Sequence, residues 1–240
     1  MKDLRGTTAI VTGASRGIGV HIARALAEEG VNLSLAARSQ PELDAVRAEI
    51  EALGVRAIAV VCDVAKPDDR ANLIARTEAE LGPVDVLVNN AGIERIRRFE
   101  DSTVMDFTDT LAINLEAPIL LSLAVVPGML ERGRGHVVNI ASGAGKVGVA
   151  YGTSYCASKH GLVGFTHALR AEYDRSPVGF SVVCPGFVTD DGMYDRWAQH
   201  GIHAPRIAGT SKPEKVASVV VDCIRKDRSE VIVNTPPVRP

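Results

Sequence analysis

Tyr155 and Lys159 stand four residues apart in Tyr155-Cys156-Ala157-Ser158-Lys159, a spacing that places a phenol and an ammonium on one face of a helix. A free phenol titrates near ~10, and a neighbouring cation favours its phenolate. Such a Tyr can give a proton to a carbonyl oxygen, or take one from an alcohol in the reverse direction. Ser142, just beyond an apolar run, could donate a second hydrogen bond to the same oxygen. Asn114 is a poor helix former inside a helical stretch, placed to anchor a water near Lys159 or simply to cap or strain the helix. The Tyr-Lys pair alone is a roughly one-in-ten accident in a chain of this composition, its bland reading being a surface cation beside a core Tyr.

A second constellation opens the chain. The run Thr12-Gly13-Ala14-Ser15-Arg16-Gly17-Ile18-Gly19 follows a Val/Ile-rich segment and starts a helical pattern. Gly13 permits a tight turn, Gly17 lets backbone approach a pyrophosphate and Gly19 allows close helix packing, while the helix N-terminus attracts the anion. The second apolar run ends in Leu35-Ala36-Ala37-Arg38-Ser39, where an acid would accept from an adenosine 2′-hydroxyl. Here Arg38 and Arg16 can instead clamp a 2′-phosphate. The expected preference is for NADP(H), with NAD(H) as the alternative and two solvated arginines as the bland reading. Asp63-Val64 can meet an adenine, and Asn89-Asn90-Ala91-Gly92 has small residues that admit a ribose, though either could be a plain turn.

The elements that must hold these residues are legible as an alternation. Ala9–Val11, Leu33–Leu35, Ala57–Val61, Val84–Val88, Val137–Ile140, Phe180–Cys184 and Val231–Val233 read as seven buried strands. Between them Ile18, Ile22, Ala25 and Leu26, then Leu43, Val46, Ile50 and Leu53, then Leu162, Phe165 and Leu169, and last Val216, Val219, Val220, Cys223 and Ile224 fall at helical spacing. Strict alternation implies an α/β fold: an open, doubly wound parallel sheet with helices on both faces and its ligand at the carboxyl ends of the strands.

Composition narrows the function classes. The chain has 240 residues, 27 basic against 29 acidic, so it lacks the electrostatic footprint of a nucleic-acid binder. No stretch of about 18 apolar residues is expected to span a bilayer, and no metal is expected, because His160, His200 and His203 lack partners at ligand spacing. Cys62, Cys156, Cys184 and Cys223 form no C-x-x-C pair and read as reduced thiols of a cytoplasmic protein. Glu94, Arg95, Arg97 and Arg98 could line a substrate entrance or form a solvated loop, and Tyr151 could shape the pocket or fill space. Residues 190–212, which hold Trp197, read as a lid or a surface excursion.

Thr12 to Gly19, Asp63, Asn89 to Gly92, Asn114, Ser142, Tyr155 with Lys159, and Pro185-Gly186, in that order, resemble the short-chain dehydrogenase/reductase family over essentially the whole chain. The resemblance implies one Rossmann-like domain over residues 1–240, with seven parallel strands and a catalytic tetrad of Asn114, Ser142, Tyr155 and Lys159. It implies that Lys159 also holds the nicotinamide ribose, and that backbone near Pro185, Gly186 and Val188 positions the nicotinamide. It implies a homotetramer or homodimer joined through helices near Val104 to Leu123 and Tyr155 to Tyr173. The implied activity is hydride transfer between nicotinamide and a small-molecule carbonyl or secondary alcohol. An NAD-preferring alcohol dehydrogenase or a non-catalytic dinucleotide sensor are the alternatives. Family chains often carry Pro-Gly-x-x-x-Thr; here Thr189 comes one residue early and Asp190 takes the usual place, which puts its carboxamide contact in question.

Overall fold

The structure is a computed structural model that describes residues 1–189 and 210–233. Most of the expected lid, with Trp197, lies outside the described residues. The order is β1 (Thr8–Thr12), α1 (Ile18–Glu28), β2 (Asn32–Ala37), α2 (Gln40–Glu51), β3 (Ala57–Val61), α3 (Pro67–Glu80), β4 (Val86–Asn89), α4 (Val104–Leu111), α5 (Ala117–Glu131), β5 (Gly135–Ile140), α6 (Thr153–Glu172) and β6 (Val178–Pro185). Then come the short β7 (Phe187–Val188) and β8 (Thr210–Ser211), α7 (Pro213–Lys226) and β9 (Glu230–Val233).

All seven expected strands form one parallel sheet in the order β3-β2-β1-β4-β5-β6-β9. Adjacent residues of one strand point to opposite faces, so each strand feeds two cores. Ala9 and Val11 of β1 join Ile22, Leu26, Leu43, Val216 and Val220 from α1, α2 and α7 on one face. Ile10 joins Leu73, Leu121, Val125 and Met129 from α3 and α5 on the other. Continuous Val/Ile runs are what a sheet covered on both faces requires. The fourth strand starts at Val86 rather than Val84, after Asp85, whose buried carboxylate accepts from the Thr8 N–H and pairs with Arg134. Leu53 lies beyond the end of α2 and is exposed, which corrects its assignment to the buried helical stripe.

Helices α4 and α5 are joined by a π-turn at Ala112–Glu116 into one rod, Val104–Glu131. Contrary to expectation, this rod is long and apolar enough, by length and composition only, to cross a membrane, with a mean hydropathy of 1.7 in its most apolar window. The run was missed because Asn114, Glu116 and Ser122 interrupt it. Its inner face, with Leu121, Val125 and Met129, belongs to the core under the sheet, which identifies it as a covering helix of the fold.

The sheet order reverses between β1 and β4, and the carboxyl ends of these strands open a crevice there. A buried side-chain chain braces one wall of it: Asn89 of β4 donates to Asn139 of β5 at 2.8 Å, and Asn139 donates to Thr166 of α6 at 2.9 Å. Helix α6 is thereby held in fixed register to the sheet beneath the residues it presents to the crevice.

Candidate active site

A cleft of about 840 Å³ runs along the carboxyl ends of the strands. At one end it is walled by Gly13, Ser15, Arg16, Gly17 and Ile18, with Arg38, Asp63 and Val64 beside them. Gly13 has φ +66°, and a Cβ there would fall 2.9 Å from the Ala91 Cα, so the turn can close on the Asn90-Ala91 segment only as glycine. Gly19 does not line the cleft; a Cβ on it would fall 2.1 Å from the Gly13 carbonyl oxygen, so here it serves the close packing of the helix start on the turn. Thr12, at the head of the glycine-rich run, organises the crevice: its Oγ1 accepts from the N–H groups of Asn90 and Ala91, both at 3.0 Å. Asn90 returns the tie through Nδ2, which donates to the Thr12 carbonyl at 3.0 Å.

Further along lie Asn90, Ala91, Gly92, Ser142, Tyr155, Lys159, Pro185, Gly186 and Val188. Tyr155 and Lys159 share the buried face of α6 with Ser158 and Leu162, as their four-residue spacing requires. The Lys159 Nζ sits 5.7 Å from the centroid of the Tyr155 ring and donates to the Ile140 carbonyl at 2.8 Å, at the end of β5. Burial pushes the Lys159 ammonium down to about 8, so at neutral pH it is still mostly charged. Ser142 caps a short 3₁₀ turn by accepting from the Ala144 N–H at 3.1 Å, which leaves its own O–H to donate.

Asn114 is fully buried in the π-turn and does not line the cleft. Its Oδ1 accepts from the Ile93 N–H at 2.8 Å, and its Nδ2 donates to the Ile93 carbonyl at 2.8 Å and to Ser158 Oγ at 3.1 Å. A single π-turn inside an α-helix aims a residue off the regular helical face, and such turns cluster at functional sites. Gly92 lacks the Cβ that would fall 3.3 Å from Asn114 Oδ1 and 3.6 Å from Lys159 Nζ, so Asn114, Gly92 and Lys159 converge. Asn114 is therefore placed to position its neighbours.

Thr189 is turned away. Its N–H donates to the Ser211 carbonyl at 3.0 Å, its hydroxyl points to the same oxygen at 3.4 Å, and it does not line the cleft. Pairing of β7 with β8 explains this, and the Thr189 hydroxyl, whose carboxamide contact the early position of the Thr put in question, faces Ser211 rather than the cleft. Arg95 and Arg97 lie near Asp106 and Asp109 at 3.3 to 3.8 Å rather than lining the cleft, and Asp106 is held below the usual carboxylate range by hydrogen bonds from Thr103. Cys156 is a packed thiol whose Sγ accepts from the Val149 N–H, and Tyr151 lies outside the cleft lining. Among the described residues no cluster could hold a metal ion. Glu42, Cys62, Ile113, Phe187 and Ile232 also border the cleft. Their apolar or helix-start positions carried no signal of this in the sequence.

A doubly wound sheet with a glycine-rich first turn frames a dinucleotide site, and residues 7–200 match the family described as short chain dehydrogenase, to which the chain belongs. It is 42% identical to the ketoacyl reductase HetN of a Nostoc species, over 99% of this chain and 82% of that one. It is 37% identical to a 3-oxoacyl-[acyl-carrier-protein] reductase of a Synechocystis species, over 92% and 90% of the two chains. The crystal structure of a variant actinorhodin polyketide ketoreductase with NADPH superposes with a TM-score of 0.88 at 34% identity, covering 95% of each chain. The chain is an NAD(P)-dependent oxidoreductase.

Proposed function

We propose that this protein is a carbonyl reductase that takes NADP(H) in preference to NAD(H), with Tyr155 as its acid/base and residues 1–240 as one dinucleotide-binding and catalytic domain. The observation that carries the cofactor reading is a pair of unpaired guanidiniums. Arg16 and Arg38 line one end of the cleft, and among the described residues neither has an ion pair or a side-chain hydrogen bond. By contrast Arg24, Arg47, Arg76, Arg134 and Arg170 each hold a carboxylate. Two free cations at the site expected for an adenosine 2′-substituent suit a phosphate.

When bound, the cofactor supplies or accepts the hydride. The chain's own residues handle the oxygen. Tyr155 gives its phenolic proton to the carbonyl oxygen, Ser142 donates a second hydrogen bond to it, and the Lys159 cation favours the phenolate left behind. Asn114 acts through others, holding the Ile93 backbone and Ser158. The cleft wall around Tyr155, with Ala144, Val147, Val149 and Phe187, is aliphatic or aromatic, which favours an uncharged ketone or an acyl thioester over a polyol. The ketoacyl reductase relatives support the thioester class.

Loss of NADPH absorbance across a panel of ketones, 3-oxoacyl thioesters and sugars tests this reading. Ketones and thioesters are expected to turn over, and Arg38→Ala is expected to raise the KM for NADPH on the order of 10- to 100-fold with little change for NADH. Equal or better kcat/KM with NADH would overturn the cofactor assignment.

Assembly follows the same logic of exposed surface. Val104, Met105 and Leu123, on α4 and α5, are 79%, 68% and 69% exposed, large apolar side chains that a homodimer or homotetramer would cover. Sedimentation is expected to give a dimer or tetramer, and a monomer at micromolar concentration would refute it. The four thiols are free, as suits the reducing cytoplasm in which we place the protein.

A further inference from the structure

Among the described helices, two Ser or Thr N-cap residues have an acid at capping-box spacing, and only one of these boxes closes. At the start of α4, the Thr103 N–H donates to Asp106 Oδ2 at 2.8 Å and the Asp106 N–H donates to Thr103 Oγ1 at 3.2 Å. At the start of α2, Ser39 and Glu42 have the same three-residue spacing, yet the Ser39 hydroxyl accepts no bond from the first turn. Among the described residues the Glu42 carboxylate has neither a hydrogen bond nor an ion pair. Both side chains instead border the cleft, next to Arg38 and on the same end as Arg16.

We infer that Glu42 is a specificity-determining residue that restrains the preference for NADP(H) and keeps NAD(H) usable. A 2′-phosphate entering this end meets two guanidiniums and one carboxylate, and the carboxylate repels it. A 2′-hydroxyl meets the same carboxylate as a hydrogen-bond acceptor. One side chain therefore acts in opposite directions on the two cofactors. The open box keeps Glu42 available for this, because a closed one would spend its oxygens on the Ser39 N–H. The inference rests on the reading that Arg16 and Arg38 receive the 2′-phosphate.

Glu42→Gln tests it, because Gln is itself accepted at this position of a capping box and the helix start is retained. The variant is expected to lower the KM for NADPH about five- to tenfold and to raise that for NADH about two- to fivefold. The ratio of kcat/KM values then shifts at least tenfold toward NADPH, and the gain for NADPH shrinks at an ionic strength of about 0.5 M. A purely helix-capping Glu42 would move both KM values together, and that result, or a ratio changed less than twofold, overturns the inference. Arg38→Ala in the same assay separates the two readings. If Arg38→Ala leaves the NADPH to NADH ratio unchanged, the 2′-phosphate reading falls and the role of Glu42 with it. If Arg38→Ala shifts the ratio and Glu42→Gln does not, only Glu42 loses its role.

Discussion

Tyr155→Phe is expected to lower kcat on the order of 10³- to 10⁴-fold and kcat/KM by the same factor, because the phenolic proton is needed only as the carbonyl oxygen takes up charge. The substitution removes one oxygen and keeps the ring. Tyr155 is buried against Ala144, with Ile96, Val149 and Cys156 packed around the pair, and Phe fills that space. Cofactor affinity, read by fluorescence titration, should change by no more than a few fold, and the melting temperature should stay close to that of the unaltered protein. Turnover within tenfold of the parent would show that the proton comes from elsewhere.

Lys159→Met is expected to do two opposite things. Turnover should fall on the order of 10²- to 10³-fold, since the cation beside the phenol is gone. Stability should change in a pH-dependent way. Lys159 is pushed down to about 8 from an ordinary 10.5, so the unfolded chain holds this proton more tightly than the folded one. Its burial penalty is full below pH about 8 and vanishes as pH rises through that window, which makes the Lys159 contribution to stability climb by roughly 2 to 3 kcal/mol between pH about 7 and 10. Burial has the opposite effect on the thiols: Cys62 is raised to about 12, and Cys184 and Cys223 to about 11, so they erode stability as pH rises above 9. Urea melts of the two proteins across this range therefore need to be compared as a difference. That difference should grow with pH in favour of the parent, and a flat difference would show that Lys159 carries no buried charge.

The strands were legible because burial on both faces writes itself as unbroken Val and Ile runs, and the glycine-rich turn because it falls between the first strand and the first helix. Helix periodicity placed Tyr155 and Lys159 on one face, and only the ordered set of motifs around them marked that face as more than an accident. What the sequence hid depends on partners far along the chain. The Lys159 ammonium finds the Ile140 carbonyl, and Asn114 reaches Ile93 and Ser158 from a π-turn that no periodicity announces. Thr189 bonds to Ser211, 22 residues on, a partner that its own segment does not announce. Arg95 and Arg97 offered a cationic entrance until the first turns of α4 placed Asp106 and Asp109 near them. Ser39 and Glu42 carry the letters of a closed cap without its bonds. In each case the local signal was real, and a distant or competing partner decided what it did.

The pairing of β7 with β8 has a bearing on how this protein can change over time. Phe187 is in register with Thr210 and Val188 with Ser211, so these two short strands form a separate two-stranded sheet that pins the chain at one point beside the cleft. Two strands anchored to each other tolerate a change in the length of chain between them cheaply as a rule, a doubling adding only about 0.6 kcal/mol of closure cost. The acid/base residues sit on α6 and after β5, outside the pinned excursion. Changes at the β7–β8 pair would reshape the cleft wall at Phe187 and Val188 while leaving the bonds that seat Lys159 and Asn139 in place.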